Sequence, residues 1–188
     1  QLNFPAILKP NQGGSGARMA EVNSLNELKC LLEEDPSLWQ PDPVLLLQEK
    51  LDHDPSKQGI VRLEFLDGEL LYAMRVVGVS GFNLCPSIDC NPEGDEEGAC
   101  AVPSATPTSD PQFLPYPEVP AEVVEEASRL FKATGFDVGA LEYLITSDGR
   151  RVFYDINATS NLRRSVGLAM GFDPFDKVAE YLERQISS

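Results

Sequence analysis

A chain of 188 residues with 42% hydrophobic and 24% charged residues is long enough to bury a core, as one domain or as two small lobes. The formal net charge of −15 argues against nucleic acid or an anionic membrane as the main partner. No apolar run approaches the roughly 20 residues of a membrane span, and the first residues do not resemble a signal peptide.

The first third of the chain carries strand, loop, helix and strand patterns in that order. Residues 4–10 (FPAILKP) predict a short strand that leads into a glycine-rich loop, and residues 24–35 repeat leucine at helical spacing. Residues 43–51 (PVLLLQEKL) form an apolar run with a polar end, as a buried strand does. Because the chain begins with Gln1 and reaches a strand pattern almost at once, we expect it to be part of a longer polypeptide.

Two β-hairpins follow, each with the Asp-Gly pair that favours a tight turn. Their tips are Asp67-Gly68 and Asp148-Gly149. Between the hairpins, residues 85–117 are rich in Pro, Ser and acidic residues. Such a composition suits either a disordered insert or a lid over a functional site, and we favour the irregular insert.

Two further helices are predicted after the insert. The first covers residues 120–135, with proline at its start and glycine at its end, and the second begins behind Asp173-Pro174. Helical spacing places one set of apolar residues on a single face of the second helix: Phe175, Val178, Ala179, Leu182 and Ile186.

The four cysteines do not form a metal-binding pattern. Cys30 lies in the leucine-rich helix and is predicted to be a small core residue. The other three, Cys85, Cys90 and Cys100, lack paired C-x-x-C spacing, and the only histidine is His53. We therefore interpret the cysteines as reduced thiols of a cytoplasmic protein and disfavour a zinc site.

The second hairpin brings two carboxylates together. A two-residue turn pairs Ile145 with Val152 and Glu142 with Asp155, and it places Asn157 on the same face as the acids. Opposed carboxylates repel, so a bound cation, a shared proton or a basic side chain is expected beside them. Carboxylate and carboxamide oxygens suit Mg²⁺. The alternative is a solvent-facing strand edge at which one of the arginines after the turn neutralises the acids.

The first hairpin gives a similar result for arginines. A two-residue turn places Arg62 opposite Ala73 and diagonal to Arg75 on one face. Two guanidinium groups on one face repel unless an anion lies between them, and arginine suits phosphate or carboxylate. Two surface arginines that extend over apolar neighbours would give the same pattern.

The glycine-rich segment KPNQGGSGA (9–17) could approach a phosphate group closely. Glycines expose backbone N–H groups, and Lys9 adds a positive charge. The segment is neither a Walker motif nor G-x-G-x-x-G, so by itself it is equally consistent with a flexible connection.

The order of these features resembles the ATP-grasp superfamily, and in particular its glutamate-ligase-like branch. The resemblance runs from AILKPNQGGSGA to LEYLITSDGRRVFYDINATSN. It implies an α+β fold with two small lobes and mainly antiparallel sheet: a partial nucleotide-binding lobe at 1–52 and a catalytic lobe at 53–188 that contains the 85–117 insert. The family also has an N-terminal pre-ATP-grasp domain, which this chain lacks, so we expect a truncated fragment.

The resemblance also implies a role for individual residues. The expected nucleotide contacts are Lys9, the loop residues Gly13, Gly14, Ser15 and Gly16, the hinge residues Gln48, Glu49, Lys50 and Leu51, and Asp54 near the ribose. The expected catalytic residues are Arg75 beside the transferred phosphate and Arg62 towards phosphate or substrate. The expected Mg²⁺ ligands are Glu142, Asp155 and Asn157. Family members often have Glu-x-Asn-x-Ser-Pro-Gly where this chain has DINATSN (155–161), so the substrate side of the site departs from the family.

The activity that the resemblance implies is ATP- and Mg²⁺-dependent ligation, with Mn²⁺ as an alternative metal. A carboxylate is phosphorylated by ATP, and an amine, amino acid or peptide captures the acylphosphate. The expected partners are ATP, a small carboxylate and an amine acceptor, together with the rest of a parent chain or a second copy. The alternative is a catalytically inactive nucleotide-binding or scaffold domain of the same fold, and a carboxylate kinase is a third reading.

Overall fold

The computed structural model describes residues 2–12, 18–40, 42–54, 58–77 and 112–187. These residues fall into two compact units that divide between Asp52 and His53. Several sequence predictions lie outside the described residues, namely the glycine loop Gly13, Gly14, Ser15 and Gly16, the cysteines Cys85, Cys90 and Cys100, and most of the insert.

The N-terminal unit contains a three-stranded antiparallel sheet in the order β2-β1-β3. Its elements are β1 (Ala6–Pro10), β2 (Ala20–Val22), α1 (Leu25–Glu34), a 3₁₀ helix (Pro36–Trp39) and β3 (Leu45–Glu49). Helix α1 begins after Ser24, whose hydroxyl accepts a hydrogen bond from the backbone N–H of Glu27 at 3.2 Å. That bond satisfies one of the free N–H groups of the first turn. The predicted strands and helix of this unit are therefore present.

Two burial predictions in the N-terminal unit are wrong. Strand β3 was expected to be a buried strand, but among the described strands it lies at the edge of its sheet, and Leu46 is 42% exposed. Cys30 was expected in the core, but it is exposed. The reason is helical geometry, because Cys30 is two residues from Leu28 and from Leu32 and so lies on the opposite side of α1.

The C-terminal unit contains a five-stranded antiparallel sheet in the order β6-β5-β4-β7-β8. The strands are β4 (Ile60–Leu66), β5 (Glu69–Val77), β6 (Gln112–Pro115), β7 (Val138–Ile145) and β8 (Arg151–Asn157). The helices are α2 (Ala121–Thr134), α3 (Arg164–Ala169) and α4 (Pro174–Ile186). Strand β6 falls within the segment predicted to be irregular, so that prediction is wrong for its four residues. Neither these helices nor α1 combine the length and apolar content needed to cross a membrane.

Helix α2 covers one face of the five-stranded sheet. Its buried residues Val123, Ala127 and Phe131 pack against a set of sheet residues: Val61, Leu63, Phe65, Ala73, Leu141 and Tyr143. The rings of Phe65 and Phe131 stack with centroids 4.5 Å apart. The helix ends at Gly135, which adopts a φ of 72° that glycine tolerates without strain. This face carries the main hydrophobic core of the unit.

The opposite face of the sheet carries a smaller apolar cluster and the buried charges. Tyr72 and Met74 pack there against Val166 of α3. Helix α4 begins at Pro174 with Asp173 as its N-cap, as predicted, and it buries Pro174 and Tyr181. The apolar face predicted for this helix is largely exposed, including Phe175, Leu182 and Ile186.

Candidate functional site

The second hairpin pairs Glu142 with Asp155, as the sequence predicts. Asn157 lies two residues further along β8 and pairs with Ala140. The Glu142 side chain is buried at 3% exposure, whereas Asp155 is exposed. The Asn157 amide nitrogen Nδ2 donates to Asp155 Oδ2 at 3.1 Å, so Oδ1 of Asn157 is the amide atom that can face a cation.

The predicted pairs nearer the turn are wrong by one residue. Ile145 pairs with Arg151 and not with Val152, because the loop between the strands contains an odd number of residues. The register then shifts between Glu142 and Tyr143, and Tyr154 is the extra residue of this β-bulge. The two one-residue departures cancel, which is why the predicted pairing at Glu142 holds.

Arg62 lies between two buried carboxylates on the face opposite α2. Its Nε donates to Glu64 Oε1 at 2.6 Å, and its Nη1 donates to Glu142 Oε1 at 2.5 Å. Arg62 and Glu142 are 3% exposed and Glu64 is fully buried. Charges removed from water to this extent are costly unless they are paired with good geometry, and these short charge-assisted bonds provide the pairing.

Neutral hydroxyl groups donate hydrogen bonds to the remaining oxygens of the Glu64 and Glu142 carboxylates. The hydroxyl of Tyr154 donates to Glu142 Oε2 at 2.6 Å, and the hydroxyl of Ser160 donates to Glu64 Oε2 at 2.5 Å. Arg62 Nη2 also makes a longer contact, of 3.4 Å, with the backbone oxygen of Thr159. All four carboxylate oxygens of the network are therefore hydrogen-bonded, and the segment after β8 is tied to β4.

Burial and charge act in opposite directions within this network. Burial alone would lower the pKa of Arg62, but the neighbouring carboxylates of Glu64 and Glu142 outweigh it and raise that pKa. Burial raises the pKa of Glu142, and the charge of Asp155 adds to the rise, while Arg62 and Tyr154 oppose it. The pKa of Tyr154 is raised by its burial and then by the charge of Glu142. Tyr154 therefore remains a neutral donor.

The side-chain oxygens of Glu142, Asp155 and Asn157 are of the kind that a hard divalent cation binds. Arg62 contributes one positive charge and Glu64, Glu142 and Asp155 contribute three negative charges, so the ionised cluster carries a net charge of −2. Within the described ranges, no group of three or more His, Cys, Asp or Glu residues is arranged to hold a metal. The candidate set instead combines two carboxylates with the carboxamide of Asn157, all oxygen donors of the kind that Mg²⁺ prefers.

The predicted arginine pair is wrong. Arg62 pairs with Met74, one residue beyond its predicted partner, because Leu71 is an extra residue in β5. Arg75 pairs with Val61, a residue of the core that α2 covers. Arg75 and Arg62 therefore lie on opposite faces of the sheet.

The N-terminal unit brings together some of the predicted nucleotide contacts. Lys9 pairs with Leu46, and Gln48 pairs with Ile7, so the side chains of Lys9 and Gln48 lie on the same face. Glu49 pairs with Ala6 and lies on the other face. Lys50 forms a salt bridge with Glu21, with 2.6 Å between Nζ and Oε2.

The remaining predicted contacts lie around the division between the units. Leu51 is half-buried, and the backbone N–H of Asp54 donates to Gln58 Oε1 at 3.0 Å. His53 is half-buried, with Nδ1 2.8 Å from the backbone oxygen of Ile145.

Sequence reasoning missed three members of the charged network: Glu64, Tyr154 and Ser160. Glu64 could have been found, because Arg62 and Glu64 are two residues apart in a strand of otherwise apolar residues and so share a face. Tyr154 could not, because only the β-bulge brings its hydroxyl to Glu142.

Comparison with solved structures identifies the fold. D-alanine–D-alanine ligase from Bacillus anthracis aligns with a TM-score of 0.62 at 18% identity, over 98% of this chain and 57% of the ligase. The ATP-grasp ligase PsnB, complexed with precursor peptide PsnA2 and AMPPNP, aligns with a TM-score of 0.59 at 18% identity, over 97% of this chain and 47% of PsnB. This chain has the ATP-grasp fold. The predicted α+β class and antiparallel sheets are confirmed.

A third neighbour is the VanG D-Ala:D-Ser ligase from Enterococcus faecalis, which aligns with a TM-score of 0.56 at 18% identity, over 92% of this chain and 47% of VanG. The ATP-grasp chain described here therefore spans about half the length of these proteins. Comparison with protein-family models and with curated proteins finds no match.

Proposed function

We propose that this chain is the ATP-grasp portion of an ATP- and Mg²⁺-dependent ligase that joins a carboxylate to an amine. The observation that carries the proposal is the pairing of Glu142 with Asp155 beside Asn157, on a sheet face with a net negative charge. Structural neighbours described as ligases support it, among them PsnB in complex with a precursor, Mg and ADP.

In this proposal, Glu142, Asp155 and Asn157 provide the oxygen ligands for Mg²⁺ or Mn²⁺. The bound metal supplies positive charge that offsets the charge of the transferring phosphoryl group. Arg62 holds Glu142 in position and favours its ionised form, as the opposing effect of Arg62 on the pKa of Glu142 indicates. Tyr154 fixes the second oxygen of the same carboxylate.

The proposed reaction has two steps. A substrate carboxylate attacks the γ-phosphate of ATP and forms an acylphosphate with release of ADP, and an amine then attacks the carbonyl carbon and displaces inorganic phosphate. Lys9 and Gln48, which share one face of the N-terminal sheet, are the proposed contacts to the nucleotide. Both steps depend mainly on positioning and electrostatic stabilisation, so no nucleophilic side chain is required.

The second candidate is a nucleotide-binding domain without ligase activity. Both carboxylate oxygens of Glu142 are already engaged, one by Arg62 and one by Tyr154, so a metal must compete with an existing bond. Residues 159–161 (TSN) also depart from the Ser-Pro-Gly that the family resemblance leads us to expect at the substrate side.

The test is substrate-stimulated ADP release. The whole protein is incubated with ATP, Mg²⁺ and pooled amino acids, and ADP and new product masses are measured. Glu142→Gln and Asn157→Ala are each expected to lower turnover by roughly 100-fold or more, because each removes a proposed metal ligand. The matched control is Asn26→Ala, on exposed α1, which should turn over normally.

Metal binding is measured separately from turnover. Mn²⁺ should broaden the amide NMR signals of β7 and β8 in the wild type and should do so less in Asn157→Ala. Mg²⁺-dependent nucleotide binding without substrate-stimulated ADP release would favour the second candidate over the ligase. Unchanged turnover in both variants would contradict the assignment of the metal site.

A further inference from the structure

A cavity of about 330 Å³ lies on the face of the five-stranded sheet that packs against α2. Its lining residues are Gln58, Gly59, Val61, Arg75, Tyr143 and Ile145. Val61 and Tyr143 belong to the core under α2, and Ile145 packs against that core. The sheet therefore separates this cavity from the Arg62–Glu142 network. Its volume falls within the range of small-molecule sites.

Arg75 is the charged residue of this cavity, and its charge is not neutralised by any described residue. Its Nε is buried and has no hydrogen-bond partner. Its guanidinium carbon lies 5.7 Å from the centroid of the Tyr116 ring, a contact that does not neutralise the charge. A buried N–H without an acceptor is uncommon and costly, so an acceptor is expected beside it. This is notable in a chain with 30 acidic and 15 basic residues.

The Tyr143 hydroxyl and a second cation, Arg151, lie near Arg75. Tyr143 shares a hydrogen bond with Tyr116, and the positive charges of Arg75 and Arg151 both act on the Tyr143 hydroxyl. Arg151 is paired with Glu122 at 2.8 Å. Because Arg151 already has a carboxylate partner, Arg75 is the cation of this cavity that can pair with a negative ligand.

Gln58 adds a directed donor. Its Oε1 accepts a hydrogen bond from the backbone N–H of Asp54 at 3.0 Å, which assigns Nε2 as the atom available for hydrogen-bond donation. Val61 and Ile145 give the cavity an apolar wall. A single cation, an amide donor and an apolar wall suit one negative charge attached to a short apolar body.

We propose that this cavity binds a small monocarboxylate, with Arg75 as its charge partner and Gln58 as a further donor. The site is separate from the proposed metal site and does not depend on ligase activity. The arginine fork can hold both oxygens of a carboxylate. A phosphate dianion would leave a second negative charge without a described cation to pair with it.

The test is an NMR titration of the ¹⁵N-labelled chain with sodium propionate. Sodium phosphate is a second probe, and sodium chloride at equal ionic strength is the control. We expect saturable shifts of the Arg75 Nε–Hε signal and of the Gln58 and Gly59 amides, with a dissociation constant on the order of millimolar for so small a probe. Chloride should not produce them.

Two substitutions test the role of Arg75. Arg75→Gln should weaken propionate binding by about tenfold or more, and Arg75→Lys, which keeps the charge without the fork, should bind with intermediate affinity. Arg129→Gln, at an exposed position of α2, is the matched control and should bind as the wild type does.

The possible outcomes are distinct. Saturable propionate shifts that depend on Arg75 support the proposal. Saturation by phosphate in preference to propionate would overturn the carboxylate assignment. The absence of saturable shifts in the wild type would overturn the site itself, and this readout does not require any variant to fold.

Discussion

Replacing Arg62 by methionine leaves two buried carboxylates without their shared cation. Glu64 is fully buried and Glu142 is 3% exposed, and Arg62 is the positive group that contacts both among the described residues. Methionine keeps much of the volume of the arginine stem, so the substitution isolates the loss of charge. Removing one member of a buried ion pair costs roughly 3–5 kcal/mol in the free energy of unfolding.

At neutral pH, we expect the loss of unfolding free energy in Arg62→Met to lie towards the lower end of that range. Tyr154 and Ser160 continue to donate one hydrogen bond each to the two carboxylates. For a protein of this size, a loss of about 3 kcal/mol corresponds to a fall in Tm of roughly 6–12 °C.

The loss should also depend on pH. Burial already raises the pKa of Glu142 in the folded state, and removing Arg62 removes an opposing effect, so that pKa rises further. A carboxyl group whose pKa is raised by folding stabilises the folded state at pH values below its ordinary pKa, and this contribution is lost as the pH rises. Arg62→Met should therefore be closest to the wild type near pH 4.5 and furthest from it near pH 8.

The assay is urea unfolding at both pH values, followed by two signals. All five tyrosines lie in the described part of the C-terminal unit, whereas the single tryptophan, Trp39, lies in the N-terminal unit. Near-UV circular dichroism of tyrosine reports the perturbed unit, and Trp39 fluorescence reports the other. Following each unit separately avoids treating the chain as a single two-state system.

The matched control is Arg151→Met. Arg151 is paired with Glu122, but both side chains are well exposed, so its loss should leave the tyrosine-monitored transition nearly unchanged. A loss below about 1 kcal/mol for Arg62→Met, as for an exposed pair, would refute the reasoning. An equal loss at pH 4.5 and pH 8 would refute the electrostatic explanation.

Three further substitutions test the packing and the network. Tyr154→Phe should lower the free energy of unfolding by about 1–3 kcal/mol, because Glu142 loses a hydrogen-bond donor that stabilises its charged form. The loss should be larger at pH 8 than at pH 4.5, and urea unfolding at the two pH values measures it. Gly139→Ala should lower the free energy of unfolding by about 1–3 kcal/mol or more, since the added Cβ would lie 2.4 Å from the backbone oxygen of Asn157. Thermal unfolding measures this loss. A Tm equal to that of the wild type would mean that strands β7 and β8 can move apart at little cost. Phe131→Ala should lower the free energy of unfolding by about 3–5 kcal/mol, because it removes a fully buried ring. A Tm within 2 °C of the wild-type value, which corresponds to a loss of roughly 1 kcal/mol or less, would contradict this prediction.

Local sequence signals predicted much of the fold. The Asp67-Gly68 and Asp148-Gly149 pairs marked both hairpins of the C-terminal unit because a tight turn needs residues that accept a positive φ, as three of these four residues do. Gly135 marked the end of α2 for the same reason.

Contacts between distant residues could not be predicted in this way. Arg62 and Glu142 are 80 residues apart, and Glu64 and Ser160 are 96 residues apart. The ion pair and the hydrogen bond that join them depend on the order of strands in the sheet. Burial was also hard to predict, because an apolar run such as β3 has the same pattern in a central strand and in an edge strand.

Leu71, the extra residue of β5, bears on how this chain is aligned with others. Deleting that one residue would restore the simple register of the hairpin and turn Arg75 towards the acidic face that carries Arg62. An alignment without a gap at this position would therefore equate residues on opposite faces of the sheet. Insertion or loss of a single residue in β5, with no substitution, can move a guanidinium group from one face of the sheet to the other.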